Sequence, residues 1–325
     1  MFGAELACSG DPSGAPAVGF YGDPNQQPSP WLRTGRSPAN LSRPRRSWTV
    51  PNDDGYVSRV LTYLDELTLR AATTARARNG VHHGDISYVT LGLPDLACGQ
   101  AFYGAVLGWR FSPGNSEHGV QVDDVVPMMG LWAGAGPTGA QVRGAVLGYR
   151  VADIAAAVAA VRAHGGTMTD PHPEPYGLAA EGHDDQGTPF CLHELPAVAG
   201  GPTSMSEDFH NGEVQGDVSY LTMVVSDLEA AQAFYAGVLG WTVNVGRLGG
   251  AQVSGVAPQL GMTTKPEAGP ATPRVTLCYR VDDIRAAVQR VRDAGGAARE
   301  VAKRPYGLES LCADDQGTPF YLHQP

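Results

Sequence analysis

The chain has 325 residues, 42% hydrophobic and 17% charged, with 42 Gly and 25 Pro. That length suits two domains, and so much Gly and Pro excludes a helical bundle and favours short strands joined by turns. Net charge is −10; the first 80 residues carry nine Arg against seven acids and the remainder is strongly acidic, a sign that repels phosphate backbones, so no nucleic-acid partner is expected. No apolar run approaches the roughly 18 residues of a membrane span, so no membrane association is expected. The start lacks a basic and apolar leader pattern, and the five cysteines are odd in number with no C-x-x-C. These features predict no disulfide framework, no zinc ribbon and a cytoplasmic location.

Residues 1–56 hold eight Pro and seven Gly without apolar periodicity. They read as a disordered tail, or as a reading frame begun too early, with a start near Val57 or Val60. Residues 57–80 read as one helix, because Val57, Val60, Leu61 and Leu64 recur at helical spacing before Asn79-Gly80. Its stripe either docks on the main body or forms a dimer seam.

The remainder is an internal repeat. Gly84-Asp85-Ile86-Ser87-Tyr88 recurs as Gly216-Asp217-Val218-Ser219-Tyr220, and Val106-Leu107-Gly108-Trp109 as Val238-Leu239-Gly240-Trp241. Asp184 through Phe190 repeats letter for letter at Asp314 through Phe320. The copies run over 84–196 and 215–325, with a Gly/Pro/Ser linker over 197–214. In the first copy a strand is predicted over 86–93, a helix from Asp95 to Leu107, and short strands up to Trp132. A strand over 143–151, a helix over 153–164 and strands near 167–168, 178–181 and 189–194 follow. That order is βαβββ twice per copy, an α+β chain of two tandem modules.

This arrangement resembles the vicinal oxygen chelate superfamily of glyoxalase I, bleomycin-resistance proteins and extradiol dioxygenases. The resemblance rests on Leu93-Pro94-Asp95, on Phe102-Tyr103 with Val106-Leu107-Gly108-Trp109, on the Asp184-Asp185-Gln186-Gly187 turn, and on their second copies. It covers about 240 residues and implies that each module curves its sheet around a cavity, the two packing as an internal pseudo-dimer. A homodimer of the whole chain stays open.

Strand alternation separates two faces. Val89, Leu91, Leu93, Leu147, Tyr149, Val151, Phe190 and Leu192 form an apolar face expected under the helices. The opposite face is polar and mixed. The resemblance places the family's metal ligands at Tyr88, Val146 and Cys191 in the first copy and at Tyr220, Thr276 and Tyr321 in the second. Neither set suits a divalent ion, so no metal and no cofactor are expected, and metal-dependent glyoxalase I activity is disfavoured.

The candidate ligand-binding residues are therefore Tyr88, Thr90, Arg150, Cys191 and His193, with Tyr220, Thr222, Arg280, Tyr321 and His323. Arg offers a fork of donors to a carboxylate or phenolate. His can donate to the same anion or move a proton, and Tyr gives a ring and a hydroxyl. Tyr176 and Tyr306, each in Pro-Tyr-Gly, read either as a rim over the cavity or as plain turn packing. His193, His323, Tyr88 and Tyr220 are the candidate catalytic groups. The expected function is metal-free binding of a small anionic or aromatic molecule. The alternative is a superfamily enzyme, a lyase, isomerase or hydroxylase/dioxygenase-like protein, using those acid–base groups or an unrecognised metal site.

Overall fold

Asp95 closes the first strand and opens the first helix: its side chain accepts from the Cys98 amide, satisfying a free donor of the first turn. Gly108 ends that helix at φ 78°, a left-handed conformation that suits glycine. The same punctuation recurs in the second copy at Asp227 and Gly240.

The computed structural model describes residues 82–136, 141–194, 212–246, 250–265 and 274–325. The readings for residues 1–56 and 57–80, and for most of the 197–214 linker, lie outside them. The first module runs β1 (Ile86–Gly92), α1 (Leu96–Leu107), β2 (Phe111–Pro113), β3 (Gly119–Val122), β4 (Met129–Trp132), β5 (Gly144–Arg150), α2 (Ile154–Ala163), β6 (Thr167–Met168), β7 (His172–Glu174), β8 (Gly177–His183) and β9 (Pro189–Glu194). The second runs β10 (Val218–Val224), α3 (Leu228–Leu239), β11 (Thr242–Val245), β12 (Gly250–Ser254), β13 (Gln259–Thr263), β14 (Arg274–Arg280), α4 (Ile284–Asp293), β15 (Ala297–Ala298), β16 (Ala302–Arg304), β17 (Gly307–Ala313) and β18 (Pro319–Gln324).

Within the first module β1 pairs parallel with β4 and antiparallel with β5, and β5 pairs parallel with β9. The mixed sheet then runs outward through β3 and β2 on one side and through β8 on the other. The strand before β8 is broken in two, β6 and β7, each pairing separately with β8. The predicted strands miss His172–Glu174, where Pro173 interrupts any alternation. β15 and β16 show the same break against β17.

The predicted apolar face is the buried one: Val89, Leu91, Leu93, Leu147, Tyr149, Val151, Phe190 and Leu192 are all core residues. Alternation does not say what covers it. Phe102 and Tyr103 of α1 pack on Phe320 and Tyr279 of the second module, with ring centroids 6.0–6.1 Å apart. Phe234 and Tyr235 of α3 meet Phe190 and Tyr149 of the first at 6.1 and 6.3 Å. Each aromatic side chain so buried stabilises the joint by roughly 1.5–3 kcal/mol.

The Asp-Asp-Gln-Gly turn serves this exchange. Gln316 holds the backbone of Asp95 in both directions, donating to its carbonyl at 2.9 Å and accepting from its amide at 2.6 Å. Gln186 holds Asp227 in the same way. Trp109 donates to the Gly216 carbonyl and Trp241 to that of Gly84. The two modules thus form an internal pair. No helix among the described residues is long and apolar enough to cross a membrane.

Candidate active site

The face of the first sheet away from the core carries Tyr88 and Thr90 on β1, Val146, Gly148 and Arg150 on β5, and Cys191 and His193 on β9. Register aligns Tyr88 with Gly148, Thr90 with Val146, Gly148 with Cys191, and Arg150 with His193. Tyr88, Thr90, Val146, Arg150 and Cys191 are half-buried, as an open but sheltered face requires.

A shift of register between Ile86 and Tyr88 frees Ser87 from the ladder and re-aims its side chain. Ser87 Oγ lies 3.1 Å from the Gly148 carbonyl and 3.1 Å from Nδ1 of His193. A carbonyl only accepts, so the serine proton goes to Gly148. The arrangement that satisfies all three groups then has His193 Nδ1–H donating to Ser87 Oγ, which assigns the tautomer from the network. Nε2 keeps its lone pair; it has no partner among the described residues and is not sealed from solvent. His193 is only 9% exposed, and burial pushes its pKa down to about 4, so the ring is neutral at pH 7. The Tyr176 ring meets it edge-on at 5.4 Å.

The imidazole lies against the bare Cα of Gly148. A Cβ there would sit 2.5 Å from His193 Cε1, so any side chain at 148 displaces the ring. Tyr88 is fixed separately: its hydroxyl lies over Gly130 and donates to Gln121 Oε1 at 2.9 Å, and Gln121 donates to the Met129 carbonyl. Burial raises the Tyr88 hydroxyl to about 12, so it stays a phenol. Burial likewise raises the Cys191 thiol to about 12, which leaves it neither a nucleophile nor a thiolate ligand at neutral pH. Glu181 faces Cys191 in register, and His172 Nε2 lies 3.4 and 3.5 Å from Glu174 and Glu181.

The second module differs at one decisive place. Tyr220 donates to Gln252 over Gly261, as Tyr88 does to Gln121. Ser219 donates to the carbonyl of residue 278, as Ser87 does to that of 148. Residue 278, however, is Cys, and its sulfur lies 3.6 Å from Ser219 Oγ. His323 is turned to the Tyr306 carbonyl, with Nε2 at 3.0 Å. Arg280 donates to the Gly212 carbonyl at 3.1 Å and lies 4.0 Å from Asp282. Thr222 and Tyr321 are half-buried and Thr276 buried on the same face.

Position by position, the residues do not fit the family's divalent ion. Val146 has no donor atom, Cys191 holds its proton, and the Tyr88 hydroxyl is spent on Gln121. Among the described residues no group of three or more His, Cys, Asp or Glu is placed to hold a metal.

Ser87, Gln121 and Gly148 complete the site together with Tyr176, and of these only Tyr176 stands out in the sequence, as a rim residue. The usable signal for Ser87 is its recurrence as Ser219 in the second copy. Alternation puts Gly148 on the open face with Val146 and Arg150, but a glycine there carries no sign of the ring it makes room for.

A glyoxalase-like domain matches residues 88–193 and again 220–323. The chain belongs to the glyoxalase-like domain family. A search of curated proteins gave no significant match. Among solved structures of similar fold, catechol 2,3-dioxygenase shares 15% identity at a TM-score of 0.53, over 75% of this chain and 88% of that one. The 2,3-dioxygenase LapB from Pseudomonas sp. KL28 shares 15% at 0.52, over 76% and 93%. The Mn(II)-bound glyoxalase from Novosphingobium aromaticivorans shares 17% at 0.53, over 75% and 82%. Identity this low speaks for the fold. The leading expectation of a non-catalytic binder is corrected on one point: the solved structures similar to this chain are dioxygenases and a glyoxalase, so the enzyme alternative is the one carried forward.

Proposed function

We propose that this chain is an enzyme of the isomerase or lyase type that moves a proton on a small carbonyl-bearing or phenolic substrate at the open face of the first module. The carrying observation is the Ser87–His193 bond, which leaves a neutral imidazole with Nε2 free. His193 takes a proton from a carbon beside the carbonyl. The electron pair moves into the carbonyl as an enolate. The proton then returns at another atom, or a leaving group departs. Arg150, beside His193 in register, faces the oxyanion, and Tyr88, Thr90 and Cys191 shape the rest of the pocket. Because burial makes His193 a weak base in the free site, the developing enolate charge is what raises its affinity for the proton.

Tyr220, Thr222, Arg280, Tyr321 and His323 line the corresponding face of the second module. The reading divides the chain at 84–196 and 215–325 and places it in the cytoplasm.

The test is a panel of α-hydroxyketones and hydroxyphenyl compounds in deuterated water with the full chain, followed by NMR. We expect carbon-bound deuterium or isomerised product, with the rate falling about 100-fold or more in His193→Gln while calorimetric affinity is kept. Binding without exchange anywhere in the panel, or turnover seen only after adding Mn(II) or Fe(II), would overturn the reading.

A further inference from the structure

The two modules keep almost every contact around the histidine and differ in its orientation. Both keep the serine, its bond to the neighbouring carbonyl, and the tyrosine ring edge-on to the imidazole, at 5.4 Å for Tyr176–His193 and 5.6 Å for Tyr306–His323. What changes is residue 148 against residue 278. Glycine leaves the space that the His193 ring fills. Cysteine puts a Cβ and a sulfur there, and Ser219 engages the sulfur at 3.6 Å. A Cβ at 148 is expected to expel the ring, and in the second module, where that Cβ exists, His323 sits elsewhere.

The protons follow. His193 meets a hydroxyl already committed as a donor, so it donates through Nδ1. His323 meets the Tyr306 carbonyl, which only accepts, so it donates through Nε2. The nitrogen left with a lone pair is Nε2 in the first module and Nδ1 in the second.

We infer that Ser87 and Gly148 are positioning residues for His193, and that the Gly148/Cys278 difference makes the modules unequal, so that one reactive imidazole per chain, in the first module, meets substrate. Cys278 does more than fill space. Its sulfur engages Ser219 at 3.6 Å, while His323 bonds the Tyr306 carbonyl instead. The orientation and tautomers stand on geometry alone; the assignment of turnover to one module rests on the function proposed above.

The experiment is long-range proton–nitrogen NMR on the full chain labelled with ¹⁵N-histidine, with the two rings assigned by His193→Gln and His323→Gln. The expected result is the Nδ1–H form for His193 and the Nε2–H form for His323. Cys278→Gly is expected to convert His323 to the Nδ1–H form, and Gly148→Ala to take His193 out of it. Ser87→Ala is expected to lose the Nδ1–H signature, and Ser87→Thr, which keeps the hydroxyl, to restore it. Like tautomers in both modules, or a His323 pattern unmoved in a folded Cys278→Gly chain, would overturn the positioning role. Should Cys278→Gly fail to fold, Gly148→Ala and Ser87→Ala decide the same point. Turnover, where a substrate is found, is expected to fall about 100-fold or more in His193→Gln and at least tenfold in Ser87→Ala. Correct tautomers with no loss of turnover in His193→Gln would sink the proposed function and leave the positioning intact.

Discussion

The hydroxyl of Tyr103 donates to Asp314 at 3.0 Å, both groups buried, across the boundary between the two modules. Tyr235 donates to Asp184 at 2.9 Å in the mirrored place. Removing one hydroxyl leaves a buried carboxylate short of a donor, although Asp314 keeps the amides of Gln316 and Thr318. Tyr103→Phe is therefore expected to cost about 1–2 kcal/mol, toward the low end for a buried bond to a charged group. Urea unfolding of the wild type, Tyr103→Phe, Tyr235→Phe and the double variant would measure it.

Each module covers the core face of the other, so neither is complete alone. A chain carrying only residues 82–196 exposes Phe102, Tyr103, Phe190 and Tyr149. Because Asp184–Phe190 and Asp314–Phe320 are identical, a second copy can supply what the missing module did. We expect this fragment to run as a two-fold dimer in size-exclusion chromatography with light scattering. A stable folded monomer would contradict the exchanged packing.

The acid side of the stability curve should carry the mark of His193. Its pKa falls from 6.5 to about 4 by burial. Above pH 6.5 both folded and unfolded forms are neutral and it contributes no slope. Between 6.5 and 4 the unfolded chain takes up a proton that the folded chain refuses, so stability falls as pH falls, by about 3 kcal/mol at the lower end. Asp315 works oppositely: burial, then the neighbouring Asp314 charge, raise its pKa from 3.8 to about 6, so its favourable contribution is lost as pH rises through that window. Urea midpoints from pH 4.5 to 7.5 should flatten on the acid side in His193→Gln and steepen there in Asp315→Asn.

Gly240 isolates backbone strain from packing. It caps α3 at φ 69°, and a Cβ there would touch nothing within 4 Å. Gly240→Ala should cost about 1 kcal/mol through the left-handed conformation alone, and Gly240→Asn less. Thermal unfolding of the two variants checks the order.

Most of the fold is legible in the sequence because its signals are local. Asp95, Gly108, Asp227 and Gly240 punctuate the helices, and alternation over 88–93 separates the buried face from the open one. The exchange between modules is hidden, since Gln316 and Asp95 are 221 residues apart and nothing periodic links them. The site is half legible. Tyr88, Arg150 and His193 follow from alternation, but alternation assumes an unbroken ladder, and the shift at Ser87 breaks it. The difference between His193 and His323 is equally hidden, because two aligned histidines look alike until the residue beneath each is known to be Gly148 or Cys278.

The bond between Tyr103 and Asp314 closes a loop of 211 residues. During synthesis α1 leaves the ribosome long before the turn at Asp314 exists. Its aromatic face has no berth in the same chain until β14 and β18 emerge. Closing so long a loop is slow, and an apolar surface left waiting invites association with other nascent chains. The order of assembly is thus written into the architecture: within a single chain, α1 finds its own partner surface only when β18 is made.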